Sequence, residues 1–183
     1  MNSWECSPEM VKILARAIAP VVSEKNLRET LLEHFIEEFE ELPIVGGWGY
    51  TKDNAVKFVK SEFIKIPKSD FVPLAYKISE HIIYEELMFS RNENDQYTEI
   101  AIYRKKQSLF SEKNKKFDIL KFEIECWHDQ HWSYLDFEYF MNTDHNGKII
   151  DKSINDEIIK RKNDSKITYQ RDLWFDITDV FGC

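Results

Sequence analysis

Glycine is scarce in this 183-residue chain: there are five, and three of them stand at positions 46, 47 and 49. Neither the Gly-x-Gly-x-x-Gly spacing of a dinucleotide loop nor the Gly-Lys-Ser/Thr ending of a phosphate loop occurs, which argues against phosphate cradling. Cysteine is scarcer still. Cys6, Cys126 and Cys183 are an odd number at wide spacing, so they make no disulfide framework and fit a reducing cytoplasm. Positive charge is in deficit, 25 Lys and Arg against 33 Asp and Glu, giving a net charge of −8 and a pI near 5.2. That balance repels nucleic acid and anionic lipid at long range and favours a cationic partner. No stretch approaches the roughly 18 apolar residues of a membrane span, and the first residues lack the basic segment of a signal peptide. The apolar run from Val11 to Val22 is broken by Lys12, Arg16 and Pro20. With no repeat, low-complexity tract or linker, residues 1–183 read as one domain in the cytoplasm.

What is present is ordinary for a folded domain: 43% hydrophobic, 14% aromatic and 32% charged residues. Gly46, Gly47, Trp48, Gly49 and Tyr50 describe a tight bend presenting an indole and a phenol, with a short strand leaving it at Ala55–Val59. Ser7-Pro8-Glu9 predicts a helix start, with Pro20 as its end. A second helix begins near Asn26, its stripe Leu27, Leu31, Leu32, Phe35, Ile36 and Phe39 backed by glutamates. A third follows Ser69 and Asp70 to about Glu86, before Leu87-Met88-Phe89 turns strand-like and residues 91–95 form a turn.

From Tyr97 the period becomes two. Ile100 and Ile102 mark one strand, followed by a Lys/Asn-rich loop from Glu112 to Lys116. In Phe117–Trp127, Leu120, Phe122, Ile124 and Cys126 share one face, and Lys121, Glu123 and Glu125 the other. Trp132–Met141 alternates similarly, with Leu135, Phe137, Tyr139 and Met141 opposite Trp132, Tyr134, Asp136 and Glu138. The two segments are expected to pair as a hairpin about His128-Asp129-Gln130-His131. A turn at His145-Asn146-Gly147, a capping box at Ser153–Asp156 opening a helix to about Lys162, and a strand at Ile167–Ile177 complete the chain. The expected class is α+β, with N-terminal helices packed on a mostly antiparallel sheet.

Chemistry is weakly signalled. Cys126, His128 and His131 have the residue types for zinc or for a thiol nucleophile, which keeps a metal-dependent or cysteine hydrolase as an alternative. No second cluster supplies a fourth ligand, Cys126 falls on the inward strand face, and a polar turn accounts for the two histidines, so neither metal nor cofactor is expected. Asp164-Ser165-Lys166 resembles a nuclease element but precedes its strand. A binding face is the better reading: Glu123, Glu125, Asp136 and Glu138 beside Trp132 and Tyr134 combine aromatic anchors with charge that steers a basic partner. A scaffold that docks to itself through the glycine bend is a further alternative, and the oligomeric state is left open.

The blocks Gly46-Gly-Trp-Gly-Tyr-Thr-Lys52 with Ala55-Val56, Tyr84-Glu85-Glu86-Leu87 and Leu173-Trp-Phe-Asp-Ile177 resemble a family of small, largely uncharacterised bacterial proteins. Members of such families are often inferred, from gene neighbourhood, to be immunity proteins of polymorphic or contact-dependent toxin systems. The resemblance spans most of the chain after residue 40 and implies a non-catalytic protein that neutralises a cognate toxin, a basic nuclease being the expected kind. It carries over no catalytic residue.

Overall fold

A computed structural model describes residues 16, 19–21, 23, 25–35, 44–59 and 71–181. The helix expected between Ser7 and Pro20 lies outside these, as do Cys6 and Cys183. Among the described residues a five-stranded mixed sheet is packed with four helices in one α+β domain. The elements are α1 (Leu27–His34), β1 (Ile44–Gly46), β2 (Val56–Phe58), α2 (Phe71–Tyr84), β3 (Tyr97–Glu112), β4 (Lys115–His128), α3 (Asp129–Met141), α4 (Lys152–Asp164) and β5 (Ile167–Asp176). Strand order is β1-β2-β5-β4-β3, antiparallel except where β2 runs parallel to β5. Two helices, α3 and α4, are inserted between β4 and β5; α4 is the helix expected at Ser153–Lys162, and α3 is an addition to the N-terminal helices. No helix among the described residues is long and apolar enough to cross a membrane.

The core forms where the two periods meet. Leu120, Phe122, Ile124 and Cys126 of β4 are buried, as their alternation predicts, and so are Leu173 and Phe175 of β5. Against them α2 lays Ala75, Ile78, Ile82 and Ile83, the stripe read from its helical spacing. Fully burying an aliphatic side chain of this size contributes about 1.5–3 kcal/mol. α1 opens on Asn26, whose side chain accepts the Glu29 N–H at 2.9 Å, and Phe35 closes it with its N–H on the Leu31 carbonyl.

Several local expectations are corrected. Leu87-Met88-Phe89 is not strand-like: α2 runs on into a π-helical turn over Glu85–Phe89. The loop expected at Glu112–Lys116 shrinks to a turn at Lys113-Asn114, joining β3 and β4 into the sheet's longest hairpin. The cap of α4 is Asp151 rather than Ser153; its carboxylate accepts from the Ser153 N–H at 2.7 Å and the Ile154 N–H at 3.3 Å. An aspartate one position before the helix presents the same acceptor, two residues ahead of the expected Ser153.

The glycine bend is tight, as read, but it does not present its aromatics. Trp48 is buried, and the Tyr50 hydroxyl turns inward to donate to Glu86 at 2.8 Å. Asn54 organises the turn, accepting the Trp48 N–H and, at 3.3 Å, the Gly49 N–H. Gly46 has φ +92, and a Cβ there would lie 2.5 Å from the Ala55 carbonyl oxygen. Gly46→Ala is therefore expected to cost roughly 1–3 kcal/mol, because neither the dihedral nor a backbone oxygen yields cheaply. Thermal denaturation beside the wild type measures it, and an unchanged midpoint would show that the bend relaxes freely.

Candidate functional site

Trp132–Met141 is a helix, not a strand, and no hairpin forms at His128–His131: β4 ends at His128 and α3 begins at Asp129. The cause is visible in the residues. Apolar side chains stand at 132, 134, 135, 137, 139, 140 and 141, a set that fits period two and also surrounds a helix on every side. As a helix it buries only Leu135 fully. Trp132 is half-buried and the rest of the ring is exposed, Phe137 by 61%, Phe140 by 68% and Met141 by 62%.

α4 packs beside α3, and the connection is pinned by Asn142. Its side-chain amide donates to the Asp151 carbonyl at 2.7 Å, and its side-chain oxygen accepts the Asp151 N–H at 3.0 Å. Between the two helices lies a groove of about 500 Å³ whose walls include Phe137, Met141, Ile154 and Ile158. Glu138 and Arg161 close one side as an ion pair at 2.7 Å. Ile150, 67% exposed, and Ile154, 49% exposed, extend the apolar surface.

The six residues expected to share one acidic, aromatic face are divided by this helix. Glu123 and Glu125 stand on the outward face of β4, whereas Trp132, Tyr134, Asp136 and Glu138 belong to α3. Nor are the acids an open array. Glu123 pairs with Lys105 at 2.7 Å, Glu125 with Lys166 at 3.1 Å, and Asp136 with Lys162 at 3.2 Å. Trp132 lies against Trp127, ring centroids 5.1 Å apart, with the Lys162 ammonium 4.0 Å from its ring centre. Of the predicted six, Glu138 lines the groove and Tyr134, 54% exposed, lies on the same helix.

Cys126, His128 and His131 are not gathered into a site. The Cys126 thiol is fully buried, and burial pushes it up to about 12, which holds it protonated and unreactive. His128 meets the Tyr97 ring edge-on at 5.7 Å, and burial lowers His131 in the first turn of α3. Among the described residues no group of three or more His, Cys, Asp or Glu is placed to hold a metal ion.

A polar centre that sequence reading missed lies inside the domain. Glu86, fully buried in the π-helical turn, accepts from Tyr50 and Arg171 and has the Arg91 guanidinium 3.8 Å away. Arg91 also donates through Nε to the Glu86 carbonyl oxygen at 2.9 Å and lies over the Tyr97 ring at 5.0 Å. Arg171 lies between the Tyr50 and Tyr169 rings, 5.2 Å from each centre. Burial raises the Glu86 carboxyl above its ordinary value against the downward pull of Arg171, Tyr50 and Arg91. Beside it, Glu85 accepts from Ser90 at 2.9 Å and meets His34 Nδ1 at 2.7 Å. The signal was two adjacent glutamates continuing an apolar stripe, where both are buried.

This centre joins three segments that are far apart in the sequence. Tyr50 comes from the glycine bend, Glu86 from Tyr84–Leu87, and the last block follows Arg171 on β5, where the Trp174 N–H donates to the Gly49 carbonyl at 2.7 Å. These segments form one internal joint, while the α3–α4 groove is open to solvent. Comparison with protein-family models, with curated proteins and with solved structures gave no match for this chain.

Proposed function

We propose that the chain is a cytoplasmic immunity protein that captures a cognate basic toxin domain and occludes its working surface, with the α3–α4 face as the contact. The observation that carries this reading is the apolar surface of Phe137, Phe140, Met141, Ile150 and Ile154, all exposed beside a groove. Contiguous apolar surface of this kind marks interaction sites, and aromatic and Met residues are enriched in the centres of protein interfaces. The net charge of −8 steers a basic partner toward the molecule as a whole, and Glu138 and Glu157 at the groove supply local acid. Contact is therefore anchored by apolar side chains and guided by charge, in place of the four-carboxylate array expected from the sequence. No chemistry is assigned to the chain: its buried thiol is unreactive and Glu86 is sealed among its partners.

Coexpression with the C-terminal toxin domain encoded by the neighbouring gene, followed by titration calorimetry of the purified pair, tests the proposal. Wild-type chain is expected to restore growth and form a stoichiometric complex. Phe137→Asp with Phe140→Asp should weaken binding about 100-fold or more, as loss of a central anchor does, while the melting temperature holds because both side chains already face water. No complex with the wild type sinks the proposal, and undiminished binding by the double variant sinks the assignment of this face.

A further inference from the structure

The inward row of β4 is apolar from Leu120 to Cys126, but it begins with a carboxylate. Asp118 is 6% exposed, and one of its oxygens accepts from the Gln107 side-chain amide at 2.5 Å. Cations are abundant elsewhere and are placed beside acids that water already solvates: Lys52 beside Glu112, Lys57 beside Asp179, Lys121 beside Asp172. Of the other buried carboxylates, Glu86 has two guanidiniums, Glu85 meets His34 Nδ1 and the Ser90 hydroxyl, and Asp176 accepts from the Thr178 N–H and hydroxyl. Asp118 has no cationic partner among the described residues. Burial raises its carboxyl above the ordinary value, so its charge is costly as it stands.

Asp118 borders a cleft of about 520 Å³ between the first turns of α2 and the turn after β5. Phe58 and Phe71, their rings 5.4 Å apart and edge to face, line it together with Ala75, Leu109, Val180 and Phe181. The volume lies in the range of small-molecule sites, and the composition is that of such sites: apolar walls around one or two polar groups that orient the ligand. Val72, Leu109 and Phe181, 41%, 57% and 46% exposed, stand at the open rim.

We infer that this cleft binds a small apolar amine in its ammonium form, the hydrocarbon body between Phe71 and Leu109 and the charge on Asp118. A carboxylate already desolvated by the fold gains most from an arriving cation, because the cost of drying it has been met on folding and only the ligand's hydration is lost on binding. The apolar walls supply the remaining affinity and exclude strongly hydrated inorganic cations.

The probe is 2-phenylethylammonium, titrated at neutral pH into the isotopically labelled chain, with 2-phenylethanol as its uncharged counterpart. Saturable amide shifts are expected at Val72, Ala75, Gln107 and Leu109, with the alcohol weaker by about tenfold or more. Asp118→Asn should remove that preference, so that amine and alcohol bind alike. Val72→Trp, which fills the cleft from its exposed rim, should block both while Asp118 is untouched; this separates a filled site from a misfolded one. Phe137→Asp should leave amine binding as it is, so the result is independent of toxin capture. An amine that gives no saturable shift overturns the inference, as does equal binding of alcohol and amine by the wild type, or a preference that survives Asp118→Asn.

Discussion

Glu86→Ala is expected to lower the unfolding free energy by about 3–5 kcal/mol, the cost of removing one member of a buried ion pair and leaving the other unpaired. The magnitude follows from what remains. Arg171 and Arg91 stay inside with side chains 9% and 1% exposed, and the Tyr50 hydroxyl loses its acceptor. Glu86→Gln keeps an acceptor for Tyr50 and removes only the charge, so it should fall between alanine and the wild type. Equilibrium unfolding in urea with the denaturant slope held constant measures both. A loss below about 1 kcal/mol, the worth of an ordinary hydrogen bond, would show that the centre does not join the glycine bend, the π-helical turn and β5.

Alkali is expected to unfold the protein steeply, because three groups that bear charge only when deprotonated, Cys126, Tyr97 and Tyr169, are buried and a fourth, Tyr50, is packed against the core. Burial pushes Cys126 up from 9.0 to about 12 and Tyr97 up from 10.0 to about 12, and it also raises Tyr50 and Tyr169. A group whose value is higher in the folded chain favours the fold fully below its unfolded value and loses that contribution as pH climbs toward the folded one. The window therefore opens near pH 9, where the unfolded thiol begins to ionise, and extends to about 12. Across it Cys126 corresponds to about 4 kcal/mol and Tyr97 to roughly 3 kcal/mol, comparable together with the whole stability of a small domain. Tyrosinate absorbance and far-ultraviolet circular dichroism, recorded on the same pH series, read the outcome. Tyr50, Tyr97 and Tyr169 should ionise only as helical signal disappears. Complete ionisation of all eight tyrosines with the helical signal intact would contradict the burial of these three.

Where one period stood alone, the sequence was legible. Leu120, Phe122, Ile124 and Cys126 alternate with charged residues and cannot make a helical stripe, so both the strand and its inward face were read correctly. Ile78 and Ile82 of α2 are equally unambiguous at helical spacing. Trp132–Met141 failed because its apolar residues satisfy both periods, and the choice fell to tertiary packing, in which Leu135 alone needed to be covered. That single error moved Asp136 and Glu138 from a strand expected beside β4 to a helix and dissolved the acidic face, although Tyr134 and Glu138 remained on or beside the surface now assigned to binding. The Glu86 centre was hidden for another reason. Its members lie 36 and 85 residues from one another, and local pattern says nothing about which distant arginine will meet a given glutamate.

The parallel pairing of β2 with β5 sets a schedule for the newborn chain. Val56 finds its neighbour Phe175 only after the last strand has been made, and the β1–β2 ribbon touches the rest of the sheet through β5 alone. Until β5 has emerged, the β3–β4 hairpin can close on local contacts, but the glycine bend has no strand to dock against and Glu86 has no Arg171. Completion of the fold is thus deferred until β5 is free to pair, with a long-range closure as its slow step.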